Sequence, residues 1–420
     1  MQNVSNRAAN MVGSEIIKLA GEVNQKIAEG KTIYNLTIGD FDPEIFPIPQ
    51  RLEELIVEAY RQKKTNYPPA NGIAELRKSV SDFLTHGLNL TYDPNNILIA
   101  GGGRPHIYAC YQTLVEEGDT VLYPIPSWNN NHYTYLAGSQ GVAIETKAEN
   151  AFMPTANELA PYIGSAGLIA LCSPLNPTGT AIGKAQMAAI CDLVISENEK
   201  RKSLGKRPVY VLYDQIYWVL THGSTTHYHP VGLDERMREY TIYVDGISKA
   251  FAATGVRVGW ACGPKEVIDK MKLVVGHVGA WSPKPEQWAT AKFLNEPEIV
   301  SAYLTSFKEA IWQRLDGLYT LFTNLKNEGF EVECIAPQAA IYLTVKFGLL
   351  GKTTTSGQKL TNAEDIASFL INEAGVAIVP FYAFGGSRDS EWFRISVGTI
   401  HISDIAEIGK NLRKALSTLK

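Results

Sequence analysis

The sequence predicts an α/β protein: a three-layer α/β/α domain built on a mostly parallel, seven-stranded sheet, joined to a smaller α+β domain. Three observations carry this expectation. From about residue 96, short apolar runs rich in Val and Ile recur, separated mostly by stretches of helical spacing. Such runs read as strands buried on both faces, the condition that crossover helices create around a parallel sheet. Beyond residue 297 the text changes to one long helical stretch followed by short strands and helices.

Taken in order, residues 11–30 place Ile16, Leu19, Val23 and Ile27 on one helical stripe, with Gly30 as the stop. Pro-rich text at 43–49 leads to a second helical segment near 51–63. Strands are expected at 97–100, 120–123, 142–145, 168–172, 209–213, 241–244 and 256–261. Helices are expected between them at 105–116, 128–137, 155–163 and 184–200. The later module reads as a helix over 297–327, strands at 331–335 and 341–347, a helix near 362–374, strands at 376–379 and 393–397, and a closing helix at 402–417. A large domain over 60–300 and a small one from 1–59 and 301–420 follow, with the cleft between them as the default place for chemistry.

The 420 residues include 39 Lys plus Arg against 43 Asp plus Glu, a formal charge of -4. Mixed signs so near neutrality argue against a nucleic-acid or membrane partner. A chain this long buries a large core without disulfides. Its five cysteines are odd in number, scattered and mostly in apolar runs, which suits a reducing compartment. The first residues lack the apolar core of a signal peptide, and no run of 18 apolar residues free of charge is present. A compact cytoplasmic protein is expected.

Ligands of open α/β sheets bind at the carboxyl ends of the strands. The first such end is Gly101-Gly102-Gly103-Arg104-Pro105, which reads equally as a tight turn or as a helix N-terminus whose N–H groups meet an anion. No G-x-G-x-x-G is present, so the usual dinucleotide fingerprint is missing. Ser173-Pro-Leu-Asn-Pro-Thr-Gly179 is a rigid loop that holds the Asn176 amide. Asp214 follows an apolar strand and needs a partner if buried. Lys249, in Ser248-Lys249, is either a stem reaching solvent or a desolvated nucleophilic amine. Arg257 heads the apolar 256–261 run, where an unpaired guanidinium calls for an anion. Three histidines fall within Thr221–His229, but no Cys, Asp or Glu accompanies them, so a polar loop is expected and no metal is assigned.

Together, Asn176-Pro-Thr-Gly179, Asp214-x-x-Tyr217, Ser248-Lys249, Ala253-Thr-Gly255-x-Arg257-x-Gly259 and Phe393-Arg394-Ile-Ser396 resemble the class I aminotransferases of the fold-type I pyridoxal-phosphate family, the group that includes aspartate aminotransferase. The resemblance covers nearly the whole chain. It implies pyridoxal 5′-phosphate as cofactor, carried by Lys249, with Asp214 at the pyridine nitrogen and Asn176 and Tyr217 at the ring's 3′ oxygen. Trp128 matches the stacking aromatic, while Arg257 and the N–H groups of Gly103 and Arg104 match the phosphate site, with Ser248 a candidate to replace the hydroxyl that Gly246 lacks. Arg394 matches the binder of the substrate α-carboxylate, and Gly39 lines the same site. Tyr67 matches a tyrosine that serves the neighbouring subunit, so a homodimer with shared sites is implied. Two departures stand out: Gly246 replaces a hydroxyl residue three positions before the lysine, and Arg104-Pro105 is bulkier than usual.

Amino acids and 2-oxo acids are the implied substrates. Arg104 matches a lysine that in one branch of the aspartate aminotransferases reaches the distal carboxylate, which points to an aspartate- or glutamate-preferring enzyme. Trp128, Trp281, Phe381 and Tyr382 point instead to an aromatic or broad-range aminotransferase. A C–S lyase, a racemase or a cyclopropane-forming synthase would use the same residues. A regulator that only binds the cofactor would need an appended DNA-binding region, for which the helix near residue 11 leaves no room.

Overall fold

The chain opens with one helical turn, α1 (Asn6–Ala9), and the amphipathic α2 (Glu15–Ala28), in a computed structural model that describes residues 3–13 and 15–420. Of the expected stripe, Val23 is fully buried and Ile16 and Leu19 pack against apolar clusters. Ile27, in the last turn, is 44% exposed, a departure from the expectation. β1 (Tyr34–Asn35), α3 (Gln50–Arg61) and α4 (Ala74–Leu88) follow. Asn89 caps α4 in the left-handed conformation, which Asn tolerates better than most residues.

Seven strands form the central sheet: β2 (Ile97–Ala100), β3 (Thr120–Ile125), β4 (Gln140–Glu145), β5 (Ala166–Cys172), β6 (Tyr210–Asp214), β7 (Thr241–Gly246) and β8 (Gly259–Cys262). Their order is β2-β8-β7-β6-β5-β3-β4. Only β8 runs antiparallel to its neighbours, β2 and β7. Parallel pairing needs a long crossover, and between β7 and β8 the chain makes just the four-residue α10 (Ile247–Ala250) and a loop. The expected strand at 256–261 therefore begins only at Gly259, and Arg257 sits in the loop with φ +62°.

The crossovers are α5 (Gly103–Leu114), α6 (Asn130–Ala137), α7 (Ala156–Ile163), α8 (Lys184–Ser203) and the short α9 (Pro230–Leu233). α7 starts on a capping box in which the Thr155 N–H donates to Glu158 Oε2 at 2.8 Å. After β8 come α11 (Lys265–Val278) and α12 (Lys284–Leu294), which, like α4, the periodicity did not single out. Leu98 and Ala100 of β2 face a core shared with α5 and α11, while Ile97 and Ile99 face the core of α4, α8 and α12. Both faces are covered, which is why β2 carries apolar residues at all its positions, whereas the edge strand β4, with Gln140 and Glu145, is largely exposed.

α13 (Pro297–Asn327) has 31 residues and so spans about 46 Å. It leaves α12 and ends against β9 (Val332–Cys334) and β10 (Tyr342–Phe347). α14 (Ala363–Phe369) runs into a π turn at Leu370–Ala374. β11 (Val376–Ala377), β12 (Val379–Pro380), β13 (Trp392–Ser396) and α15 (Asp404–Leu416) complete the chain. The second sheet has the order β12-β13-β10-β9 and is antiparallel. β1 pairs in parallel with β11, which ties the N-terminal segment to this second module. α3, by contrast, packs on α12 beside the large sheet. Among the described residues no helix is long and apolar enough to cross a membrane.

Candidate active site

The carboxyl ends of β2, β5, β6 and β7 open into one cleft of about 750 Å³, closed on its far side by α2, the 37–40 turn and Arg394 of β13. Eleven of the twelve residues singled out from the sequence line it: Gly39, Gly103, Arg104, Trp128, Asn176, Asp214, Tyr217, Ser248, Lys249, Arg257 and Arg394. The twelfth, Tyr67, lies outside at 82% exposure, edge-on to Trp281.

Lys249 stands on α10, directly beyond β7, and its Nζ donates to the Gly39 carbonyl at 2.6 Å. Burial pulls its ammonium down to about 8, opposed by Asp40 and reinforced by Arg394, Arg104 and Arg257. Asp214 ends β6 with the Ile216 N–H on Oδ1 at 3.1 Å. Burial raises its carboxyl to about 6, against that one hydrogen bond. Tyr217 shares a 2.7 Å hydrogen bond with the Tyr342 hydroxyl. Burial first, then Tyr342, pushes its phenol well above the usual value, so the O–H keeps its proton.

Arg394 is 1% exposed. Its Nη1 donates to Asn176 Oδ1 at 2.9 Å and its Nη2 to the Thr37 carbonyl at 2.5 Å. The rings of Tyr342 and Phe384 flank the guanidinium, and its Nε–H is buried without a partner among the described residues. A charge so placed against neutral acceptors is made for an incoming anion. Gly39 is required here by space: a Cβ would come 2.8 Å from the Tyr342 hydroxyl and 3.4 Å from Arg394 Nη1.

The opposite end of the cleft is built for a second anion. Gly102, at φ +93°, turns the chain into α5, and any side chain there would collide with the Arg257 guanidinium. Arg257 donates to Thr254 O at 2.7 Å and Gly101 O at 2.5 Å, which holds its charge beside the α5 N-terminus. Ser248 lines the cleft, whereas Gly246 touches the backbone of Val258 and Gly259 so closely that a Cβ would stand 2.8 Å away. A hydroxyl residue at 246 is therefore sterically excluded. Arg104 lies over the Trp128 ring at 5.3 Å.

Sequence reasoning missed several lining groups. Tyr342, Asp40 and the α2 residues Ile16, Ile17 and Ala20 all reach the cleft or its walls. Only the α2 stripe had a signal in the sequence, and it pointed to burial alone. Trp281, Phe381 and Tyr382, expected near the cleft, do not line it. Phe381 is buried in a cluster with Phe152 and Phe384. The three histidines do not form one cluster: His222 approaches Ala340 O, while His227, near Gln215 Oε1, stacks on His229, which approaches the Tyr243 hydroxyl.

The residues fit a pyridoxal phosphate. Asp214 is a desolvated carboxylate with no cation of the protein paired to it among the described residues, which suits a pyridinium. Lys249 is a desolvated amine within the same cavity, and Arg257 with the α5 N-terminus suits a phosphate.

Residues 31–408 match the family described as Aminotransferase class I and II. An aspartate/prephenate aminotransferase of Thermus thermophilus is 29% identical over 421 residues, which cover 99% of this chain and 97% of that protein. The crystal structure of an aspartate aminotransferase from Rhizobium meliloti superposes with a TM-score of 0.90 at 26% identity, covering 100% of both chains. An aromatic aminotransferase from Pyrococcus horikoshii superposes at 0.80 with 25% identity, covering 94% of this chain and 98% of that one. A match of that extent, on a fold whose strand ends converge on a lysine, an aspartate and two arginines, makes this chain a member of the class I and II aminotransferase family, a pyridoxal-phosphate-dependent enzyme of fold type I.

Proposed function

We propose that the enzyme moves the amino group of an acidic L-amino acid, aspartate or glutamate, to a 2-oxo acid. The observation that carries this reading is Arg104. It lines the cleft, its guanidinium lies on Trp128, and it has no carboxylate partner among the described residues. With Arg257 given to the phosphate, the other two arginines of the cleft, Arg104 and Arg394, suit a dicarboxylate better than a monocarboxylate. The names of the Thermus and Rhizobium relatives support it. The apolar wall of Ile16, Ile17 and Ala20 favours a second reading, an aromatic or broad-range donor.

The cofactor, when bound, supplies an electron sink for the pair left on the substrate's Cα. The chain's part is positioning and proton transfer. Asp214, made basic by burial, holds a proton at the pyridine nitrogen by charge pairing. Asn176 and Tyr217 donate toward the ring oxygen, and Trp128 covers the ring face. Arg257, Ser248 and the N–H groups of Gly103 and Arg104 hold the phosphate. Arg394 grips the α-carboxylate and so decides which bond at Cα faces Lys249. Lys249, with its ammonium near 8, exchanges protons at Cα close to neutral pH. Tyr67 reaches the neighbouring subunit's phosphate in a homodimer.

Two experiments test these assignments. Borohydride reduction of the holoenzyme followed by peptide mapping should place the trapped cofactor on Lys249, and a trapped adduct on any other lysine would refute the assignment. Arg104→Met should lower kcat/KM for aspartate by about 30-fold or more, the loss expected for a charge-paired hydrogen bond, while alanine and phenylalanine change by only a few fold. Equal losses for aspartate and phenylalanine would move Arg104 to the cofactor and bring the aromatic reading forward.

A further inference from the structure

A second cavity, of about 1380 Å³, shares no lining residue with the catalytic cleft. The segment after β6 separates the two: Tyr217 lines the cleft, whereas Trp218, Val219 and His222 line the second cavity. Its other walls are the C-terminal half of α4 and the first turns of α13.

Its chemistry is that of a site rather than a crevice. The faces are aromatic. Trp312 lies against the His222 ring with centroids 5.7 Å apart, and Trp218 packs on Phe83 at 5.4 Å. Lys308, one helical turn before Trp312 on α13, also lines the cavity. It is half-buried, burial alone draws its ammonium below the ordinary lysine value, and no carboxylate opposes that shift. The two acidic residues of the lining are engaged elsewhere: Asp82 is paired with Lys78 at 2.6 Å and Glu309 accepts from Gln313 at 3.0 Å. Two of the three lining histidines add no charge, since burial takes His222 down to about 4 and His227 to about 3; the third, His86, stands in the last turn of α4. The buried Nδ1 of His227 has no partner among the described residues. The cavity thus presents the Lys308 ammonium, with no carboxylate partner among the described residues, beside flat aromatic faces.

We propose that this cavity is a second ligand site that takes a planar aromatic carboxylate, its ring against Trp312, His222 and Trp218 and its carboxylate on Lys308. A partly desolvated ammonium without a counter-ion is costly, and an incoming carboxylate relieves that cost while its ring displaces water from apolar surface. A neutral aromatic satisfies only the rings, and a small inorganic anion only the lysine.

The test is a calorimetric titration of the holoenzyme with 1-naphthoate, with naphthalene-1-methanol as the uncharged control. The wild type should bind 1-naphthoate saturably, and the alcohol at least about tenfold more weakly. Lys308→Met should weaken 1-naphthoate binding about tenfold or more, and Lys308→Arg should retain it. Lys308 touches neither cofactor nor substrate, so both variants should keep wild-type transamination, which also reports that they fold. Equal affinity of the wild type and Lys308→Met would assign the probe to the catalytic cleft and overturn the proposal. So would the absence of saturable binding up to about 10 mM.

Discussion

At the scale of the residue, the cleft is organised by what burial does to two charges. Asp214 is pushed up to about 6 and Lys249 down to about 8, each chiefly by desolvation. The sign of each contribution in the cofactor-free protein follows by linkage. A raised carboxyl contributes stability that is present at acid pH and lost as pH rises through about 6. A depressed ammonium contributes stability that is present at alkaline pH and lost as pH falls through about 8. Between the two values both groups are charged and buried, and the cofactor-free fold carries both penalties. With the roles proposed above, Asp214 paired to the cofactor and Lys249 bonded to it would lose both penalties. The difference in Tm between holo- and apoenzyme should therefore be largest between about pH 6 and pH 8 and shrink on either side. Scanning fluorimetry across pH checks this, and a difference that does not vary with pH would sever the two groups from cofactor binding.

At the scale of the element, α2 turns an ordinary amphipathic stripe into part of the site. Val23 anchors it in a small cluster with Ile371 and Ala377, and Ile16 joins the Phe152, Phe381 and Phe384 cluster. That docking sets Ile16, Ile17 and Ala20 against the cleft, although Ile17 is 74% exposed. Periodicity in the sequence revealed the helix and its buried Val23, but a stripe carries no record of what lies across from it. Val23→Asp would bury a carboxylate without a partner, a cost of several kcal/mol, and should undock α2. The expected result is a KM for the amino donor raised about tenfold with the cofactor's visible absorbance intact. An unchanged KM would show that α2 is only a cover. α4, α11 and α12 went unread for a related reason. α12 buries most of its circumference, including Gln287 and Thr290, so it offers no clear polar-apolar alternation.

At the scale of the whole molecule, the cleft of one chain lacks one matched residue. Tyr67 is exposed against Trp281, and α11 nearby in the sequence presents Leu273 at 51% and Val278 at 60% exposure. Exposed apolar side chains of this kind suit a subunit interface, and a homodimer would bring a second Tyr67 to each site. Mixing Tyr67→Ala with Lys249→Ala chains under exchange should then restore activity above the sum of the two variants, because one site in each hybrid dimer keeps both native residues. Activity that only sums would place Tyr67 outside the partner's site.

Asn176, Asp214 and Lys249 were legible in the sequence because each follows an apolar strand, and strand ends are where an open sheet binds. Arg257 reads from the sequence as the head of a strand that begins only at Gly259, and Tyr217 and Arg394 are matched through the family motifs alone. The alternation of apolar runs and helices likewise determined the three-layer class, since only strands covered on both faces omit polar residues. Tertiary structure alone decided the rest. β8 reverses because its connection is too short for a crossover, which places Arg257 in a strained loop beside Gly102 instead of at the head of a strand. Tyr342 meets Tyr217 across 125 positions of sequence, and Gly39 meets Lys249 across 210. Periodicity and spacing report a residue's neighbours along the chain, whereas a hydrogen bond between domains depends on how two separately folded layers come to rest against each other.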